Sequence, residues 1–143
     1  MVLKKSFNLI LKHKIAPYKK IIKVDSDKSI SIRSFLIGAI SQDISIATNV
    51  LESEDVISTI KSLKKLGTKI QKKNGDYLIY GKGLGSLRST NDTQLNFGNS
   101  GTLARLLIGI LATTPDIVVK ITGDKSLNKR SMKKLILLMS EFG

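Results

Sequence analysis

The chain contains no cysteine and a single histidine among its 143 residues. Without cysteine it has no disulfide, no thiolate nucleophile and no thiolate metal site. His13 lies between two lysines, which favours a solvated surface position over a catalytic one, and one histidine does not make a zinc cluster. The composition therefore favours a function that needs neither cysteine chemistry nor a histidine-bound metal.

Aromatic residues make up 5% of the chain, and 11 acidic residues face 24 lysines and arginines, giving a formal net charge of +13. A surplus of this size raises nucleic acid as a partner. However, the basic residues are spread along the chain, and no run of interleaved aromatics offers a surface on which bases could stack. We therefore expect no nucleic-acid partner. An anionic small molecule, or a general bias toward lysine, explains the same surplus.

Long hydrophobic runs are also absent. The longest, Leu106 to Ala112, is too short to cross a bilayer. The N-terminal apolar stretch from Phe7 to Leu11 is short, is broken by Asn8, and is followed by no cleavage site of small residues, so it does not resemble a signal peptide. We expect a cytoplasmic protein with no membrane partner. Its length and its 41% hydrophobic content suit one folded domain.

The most informative stretch is residues 96–105, Asn-Phe-Gly-Asn-Ser-Gly-Thr-Leu-Ala-Arg, where an extended run turns into a helix. Gly98 and Gly101 allow a ligand to approach the main chain, and the free N–H groups of a helix start favour an anion. Arg105 lies within one turn and offers a planar fork of donors. Residues suited to helix caps surround the turn: Asn99, Ser100 and Thr102. The pattern predicts an anion site, although alone it fits a capped helix with a solvated arginine equally well.

A second stretch, residues 24–33, repeats this arrangement. An apolar strand at Ile21 to Val24 leads through short polar residues into a helix, with Lys28 at its start and Arg33 in its first turns. Two cationic helix starts in one short chain favour a shared function over coincidence.

Hydrophobic periodicity and turn residues predict a repeated order of strands and helices. The first unit, residues 21–81, is predicted to hold strands at 21–24, 44–48, 68–71 and 77–80 and helices at 29–41 and 53–66. After a loop at 82–94, the second unit, 95–143, is predicted to hold strands at 95–97 and 117–121 and helices at 102–113 and 131–142. A further strand is predicted at 5–11. We therefore predict a mixed α/β fold of the α+β type with one complete βαβαββ unit and a second that lacks its closing hairpin, so the chain is expected to be a fragment.

The second helix of the first unit begins with Ser53, Glu54 and Asp55. Serine is a favoured N-cap, and acids in the first turn complement the positive end of the helix dipole. Helix formation therefore explains both acids, and we prefer that explanation to a catalytic role.

Three segments resemble, in order and spacing, the signature segments of the EPSP synthase family, the 3-phosphoshikimate 1-carboxyvinyltransferases. They are residues 27–33 (Asp-Lys-Ser-Ile-Ser-Ile-Arg), residues 98–105 (Gly-Asn-Ser-Gly-Thr-Leu-Ala-Arg) and residues 123–130 (Gly-Asp-Lys-Ser-Leu-Asn-Lys-Arg). The likeness covers residues 21–143. It implies the enolpyruvyl-transferase fold, an inside-out α/β barrel of two domains with three βαβαββ units each. On this basis residues 1–20 are a strand and crossover belonging to the second domain, and residues 21–143 are part of the first.

The resemblance also implies the reaction of the shikimate pathway that transfers the enolpyruvyl group of phosphoenolpyruvate to the 5-hydroxyl of shikimate 3-phosphate, releasing phosphate. It implies a monomeric full-length enzyme that uses no cofactor and no metal. Motif by motif, Lys28 matches a contact to both substrates, Ser29 and Arg33 match ligands of shikimate 3-phosphate, and Gly101 and Arg130 match ligands of phosphoenolpyruvate. Three residues are implied to support them: Asn99, Thr102 and Arg105. The catalytic acid and base are expected in the second domain, so the chain alone is expected to be inactive.

The chain departs from the family pattern at three places. Asp25-Ser26 replaces the usual Pro-Gly, Ile32 replaces His or Asn, and Ser131 replaces Pro. Asp25 places a negative charge beside the predicted anion site, which weakens binding unless the side chain faces solvent or caps the helix.

Two alternatives stay open. The first is the UDP-N-acetylglucosamine enolpyruvyl transferase of the same fold, which is disfavoured because the motifs match the shikimate enzyme and because that relative typically carries a loop cysteine in this half. The second is a non-catalytic, basic, anion-binding remnant of a truncated gene. Either way, Lys28, Arg33, Arg105 and Arg130 follow strand-to-helix turns of two equivalent units, so we predict that they converge on one concave face.

Overall fold

The computed structural model describes residues 21–141 continuously, and residues 8–10, 12, 14, 16, 17 and 19 before them. In chain order the elements are α1 (Lys28–Ile40), β1 (Gln42–Ala47), α2 (Glu54–Lys65), β2 (Lys69–Lys73), β3 (Asp76–Lys82), β4 (Gln94–Asn96), α3 (Gly101–Ala112), β5 (Lys120–Thr122), α4 (Lys125–Asn128) and α5 (Lys133–Ser140). The predicted mixture of helices and sheet is confirmed.

Strands β1, β3 and β2 form an antiparallel sheet in that order. The β2–β3 turn has positive φ angles at Asn74 and Gly75, 52° and 89°, as expected for the Asn-Gly hairpin predicted from the sequence. Helix α1 packs against β3, where a Cβ at Gly38 would lie 2.9 Å from Cδ1 of Ile79. A glycine is therefore required for this helix to lie close to the sheet.

Strands β4 and β5 pair in parallel, with Leu95 opposite Ile121, and α3 connects them. Parallel neighbours need such a crossover connection. Leu95, Phe97, Leu103 and Leu107 are fully buried and belong to the same core as the side chains of the first sheet. The two sheets therefore share one hydrophobic core, which fixes the starts of α1, α2 and α3 relative to one another.

The helix starts are capped in different ways. The Asp27 carboxylate accepts the N–H of Ile30 at 2.7 Å at the start of α1. Ser100 caps α3 through a 3.2 Å bond from the N–H of Leu103. Ser53 occupies the N-cap position of α2 as predicted, but its buried hydroxyl bonds to no group in the described part of the chain.

The strand predicted at Ile21 to Val24 is wrong. Residues 21–27 lie in no strand, and the Ile21 side chain is 94% exposed. β-Branched residues favour extension, but a strand also needs a neighbour for its main-chain hydrogen bonds, and none of the described strands runs beside this segment. Among the described residues, α1 is therefore the first regular element.

The second unit differs from prediction in its later part. β5 is limited to the three residues that pair with β4, rather than extending over 117–121. The short α4 was not predicted, and the last helix begins at Lys133 instead of Ser131. Residues 142–143 lie outside the described residues, as does most of the strand predicted at 5–11; residues 8–10 are not in a strand. In the part of the chain that is described, every helix is too short or too polar to span a bilayer.

Candidate anion-binding site

A pocket of about 240 Å³ lies where the first residues of α1, α2 and α3 meet the segment after α4. It is lined by Lys28, Asp55, Asn99, Gly101, Thr102, Arg105 and Arg130. Apart from the glycine, every lining side chain is polar or charged. Three cations face one carboxylate, so the pocket has a net positive charge suited to a phosphate or carboxylate ligand.

The turn before α3 is held by main-chain geometry. Gly98 has a φ of +55°, its N–H donates to Oδ1 of Asn96 at 2.9 Å, and its carbonyl accepts the N–H of Asp124 at 2.8 Å. The N–H of Gly101 donates to the carbonyl of Asn99 at 3.0 Å. Gly98 therefore takes the backbone conformation predicted for it, whereas Gly101 does not have a positive φ and begins α3, whose first two residues line the pocket.

Two guanidinium groups lie directly against Gly101. A Cβ at that position would be 2.8 Å from Nη1 of Arg130 and 3.0 Å from Nη1 of Arg105. Arg130 donates through Nη2 to Oδ1 of Asn99 at 2.7 Å, and Arg105 donates to the Gly101 carbonyl at 3.4 Å. The absence of a side chain at Gly101 therefore lets both cations approach the start of α3.

Arg130 reaches the pocket because the third sequence motif folds back on the second. A Cβ at Gly123 would lie 2.8 Å from the carbonyl oxygen of Gly98. Asp124 caps α4 by accepting the N–H of Leu127 at 2.7 Å, and the Arg130 N–H donates to the Leu127 carbonyl at 3.0 Å. The buried Leu127 anchors this turn in the core, so Arg130 follows a fixed segment.

Lys28 is the first residue of α1, and its Nζ lies 2.9 Å from Oδ2 of Asp55 in the first turn of α2. The lysine side chain is 48% exposed and the aspartate side chain 15% exposed. The pair therefore stands at the wall of the pocket with its cation toward solvent.

The predicted convergence is confirmed for Lys28, Arg105 and Arg130, and the supporting residues Asn99 and Thr102 line the same pocket. Ser29 and Arg33 do not line it. The Arg33 guanidinium is exposed and donates to the Ser29 carbonyl at 3.0 Å, so it lies outside this pocket, and its place on the same concave face stays a prediction.

Asp25, predicted to disturb the site unless it turns away, is exposed and does not line the pocket. The capping bond of α1 comes from Asp27 instead. The Asp25 carboxylate therefore adds no charge to the lining of this pocket.

Asp55 is the lining residue that sequence reasoning missed. Its position in the first turn of α2 was explained by the helix dipole, and nothing in the local sequence links it to Lys28. The packing of α1 against α2 brings the two together. Within the described residues, no three acids, histidines or cysteines come together as metal ligands would.

The model of one protein family, described as EPSP synthase (3-phosphoshikimate 1-carboxyvinyltransferase), matches residues 12–143. The chain belongs to the EPSP synthase family. A 3-phosphoshikimate 1-carboxyvinyltransferase of Desulforamulus reducens is 44% identical over 133 residues, covering 90% of this chain and 30% of that protein. One from Sulfurihydrogenibium sp. (strain YO3AOP1) is 41% identical over 122 residues, covering 85% and 28%.

The fold agrees with that of a solved EPSP synthase from Acinetobacter baumannii, with a TM-score of 0.77 at 36% identity over 85% of this chain and 27% of that one. A second EPSP synthase structure from the same organism gives 0.71 at 38% identity. The predicted family and fold are thereby confirmed. The chain spans 28% to 30% of the length of the curated relatives it matches.

Proposed function

We propose that this chain is the substrate-binding part of a 3-phosphoshikimate 1-carboxyvinyltransferase, and that its pocket is the cationic wall against which phosphoenolpyruvate binds. The observation that carries the proposal is the arrangement of Lys28, Arg105 and Arg130 around the start of α3. Phosphoenolpyruvate carries a phosphate and a carboxylate, and both are groups for which arginine forks and helix starts are suited.

In the proposed reaction the 5-hydroxyl of shikimate 3-phosphate attacks C2 of phosphoenolpyruvate. The hydroxyl loses its proton and C3 gains one as the C2–C3 π bond breaks, which gives a tetrahedral intermediate. The bond from C2 to the phosphate oxygen then breaks, inorganic phosphate leaves, and loss of a proton from C3 restores the double bond. The share of this chain is to hold two polyanions so that the attacking oxygen and C2 stay in line. Its fixed cations also stabilise negative charge on the phosphate that leaves.

The residue roles follow the motifs. Arg130 and Gly101 hold phosphoenolpyruvate, and Lys28 contacts both substrates. Ser29 and Arg33 bind the 3-phosphate of the second substrate. The Arg33 guanidinium rests on the Ser29 carbonyl, one residue beyond Lys28, which supports a second anion subsite beside the pocket rather than inside it.

Asp55 is the one acid among the described residues that line the pocket, and it is engaged with Lys28. We therefore assign no catalytic residue to this chain and expect it to release no phosphate from the two substrates on its own. The full-length enzyme is expected to be a cytoplasmic monomer that needs no cofactor and binds no nucleic acid. These expectations rest on the family resemblance.

The test is calorimetric titration of the purified chain with phosphoenolpyruvate and, separately, with shikimate 3-phosphate. A charge-assisted hydrogen bond contributes about 1.5–3 kcal/mol, so Arg130→Ala is expected to weaken phosphoenolpyruvate binding roughly 10-fold or more and to affect shikimate 3-phosphate much less. Arg33→Ala is expected to do the reverse.

The matched control is Arg88→Ala, because Arg88 also donates to main-chain carbonyls, those of Gly85 and Leu87, but does not line the pocket. It is expected to leave both affinities within about twofold, because an exposed charge outside the pocket is screened by salt and forms no hydrogen bond to the ligand. Equal losses of both ligands in Arg130→Ala and Arg33→Ala would contradict the role assignment.

A further inference from the structure

Lys28, the cation of the Lys28–Asp55 ion pair, occupies a position that does not favour the stability of its own helix. Lys28 is the first residue of α1, and a positive charge at that end opposes the helix dipole. Asp55 stands in the first turn of α2, where a negative charge is favoured. The aspartate is thus explained by its own helix, whereas the lysine needs another reason to be there.

The two side chains also differ in how firmly they are held. Lysine carries its charge on a flexible four-carbon stem, and the Lys28 side chain is 48% exposed. The Asp55 side chain is short, 15% exposed, and follows a helix anchored by the fully buried Val56 and Leu63. Since Nζ lies 2.9 Å from Oδ2, the rigid partner fixes the flexible one.

The charge of Asp55 has a second effect on the pocket. A carboxylate among Lys28, Arg105 and Arg130 lowers the net charge that an anion meets, so by direct Coulomb action Asp55 repels the ligand. An ammonium has three donors, and the bond to Asp55 leaves two for a ligand. Asp55 therefore helps binding through Lys28 and opposes it otherwise.

We propose that Asp55 is a positioning residue, which acts on anion binding by holding the Lys28 ammonium at the pocket wall. This rests on the proposed function of the pocket. Three possible roles of Asp55 predict different effects when its carboxylate is removed. If Asp55 positions Lys28, anion binding weakens only when Lys28 is present. If Asp55 only repels the anion, binding tightens with or without Lys28, and if its role is purely structural, binding weakens in both cases.

The binding test is a double-mutant cycle read by titration with phosphoenolpyruvate. Asp55→Asn is expected to weaken binding roughly three- to fivefold, the upper range for a partly exposed ion pair. In the Lys28→Ala background the same change is expected to leave affinity unchanged or slightly raised. Tighter binding of Asp55→Asn in the presence of Lys28, or an equal loss in both backgrounds, overturns the proposal.

The matched control is Glu54→Gln, which removes a negative charge from the same helix turn. Glu54 is exposed and forms no ion pair with any described residue. It is expected to leave the affinity within about twofold, whereas a loss equal to that of Asp55→Asn would assign the effect to the dipole of α2 and overturn the role of Lys28. Asp55→Glu, which keeps the carboxylate, is expected to recover part of the affinity.

A second measurement needs no ligand. The rate of acetylation of the Lys28 amine by acetic anhydride is compared by mass spectrometry with that of Lys61, an exposed lysine of α2 outside the pocket. Because the bond to Asp55 must break before the amine reacts, Asp55→Asn is expected to raise the Lys28-to-Lys61 ratio roughly threefold, in line with the strength of such pairs, and Glu54→Gln is not. An unchanged ratio in Asp55→Asn overturns the placement. A raised ratio in a chain that does not bind phosphoenolpyruvate supports the placement of Lys28 and contradicts the proposed function instead.

Discussion

Substitution of Gly101 by alanine tests the pocket most directly, because it adds one methyl group at the point where two cations meet. The new Cβ would lie 2.8 Å from Nη1 of Arg130 and 3.0 Å from Nη1 of Arg105, whereas ordinary contact begins at 3.4 Å. Both guanidinium groups must move outward. They are the ends of flexible side chains, so the helix keeps its place and the cations give way.

The energetic consequences are opposite for fold and binding. Alanine is favoured over glycine inside a helix by about 0.5–1 kcal/mol, and Gly101 is the first residue of α3, so the free energy of unfolding is expected to stay equal or to rise. Binding loses the alignment of Arg130, whose 2.7 Å bond to Asn99 is disturbed. With a charge-assisted bond at about 1.5–3 kcal/mol, phosphoenolpyruvate affinity is expected to fall roughly 10- to 100-fold.

The measurement is titration with phosphoenolpyruvate beside urea unfolding, with Gly109→Ala as the control. Gly109 lies in the same helix, and a methyl there would meet no described atom within 4 Å outside the helix backbone. It gains the same helix propensity without touching the pocket. If Gly101→Ala binds like Gly109→Ala, or if its weaker binding comes with a loss of folding, the explanation through the two guanidinium groups is wrong.

Two further predictions concern stability. Gly38→Ala places a methyl 2.9 Å from Cδ1 of the fully buried Ile79, and overpacking of this kind lowers the free energy of unfolding by about 1–3 kcal/mol. Urea unfolding of this variant beside Gly109→Ala measures that loss. Equal midpoints for the two variants would contradict the close packing of α1 on the sheet. The hydrogen bond between Glu52 and Lys72 lowers the pKa of Glu52 from its ordinary value of 4.5 and raises that of Lys72 from 10.5. The pair therefore stabilises the fold at neutral pH. This contribution is lost as the pH falls through the lowered pKa of Glu52, or as it rises through the raised pKa of Lys72. Thermal unfolding of wild type and Glu52→Gln should therefore differ at pH 7 and converge in acid, and a difference that persists at pH 2 would show that the carboxylate charge is not its source.

Local signals were sufficient for much of the fold. α1, α2, α3 and the hairpin around Asn74-Gly75 each carry a periodic apolar stripe, a cap or a turn dipeptide within the element itself, and all lie within a few residues of their predicted bounds. Ile21 to Val24 carries an equally good local signal for a strand but lies in none. A strand also needs a neighbouring strand for its main-chain hydrogen bonds, and these four residues do not specify whether such a neighbour is present.

The site shows the same division. The gathering of Lys28, Arg105 and Arg130 at one pocket could be predicted, because each follows a strand-to-helix turn that is recognisable in the sequence. The engagement of Asp55 with Lys28 could not be predicted, since 27 positions separate them and the acid already had a sufficient local explanation. That Arg33 lies outside the pocket could not be predicted either, because it depends on how α1 is rotated about its axis when it packs against α2 and α3.

The placement of Lys28 at a helix start has a consequence for the design of more stable variants. Lys28 is the first residue of α1, where a positive charge opposes the helix dipole. A neutral residue at this position would relieve that opposition, but it would also leave the Asp55 carboxylate, whose side chain is 15% exposed, without its 2.9 Å partner, so the two effects on stability oppose each other. Position 28 is therefore a poor target for thermostabilising design, because a gain at the helix start is set against the loss of an ion pair, and under the proposed function the change also removes a cation from the pocket.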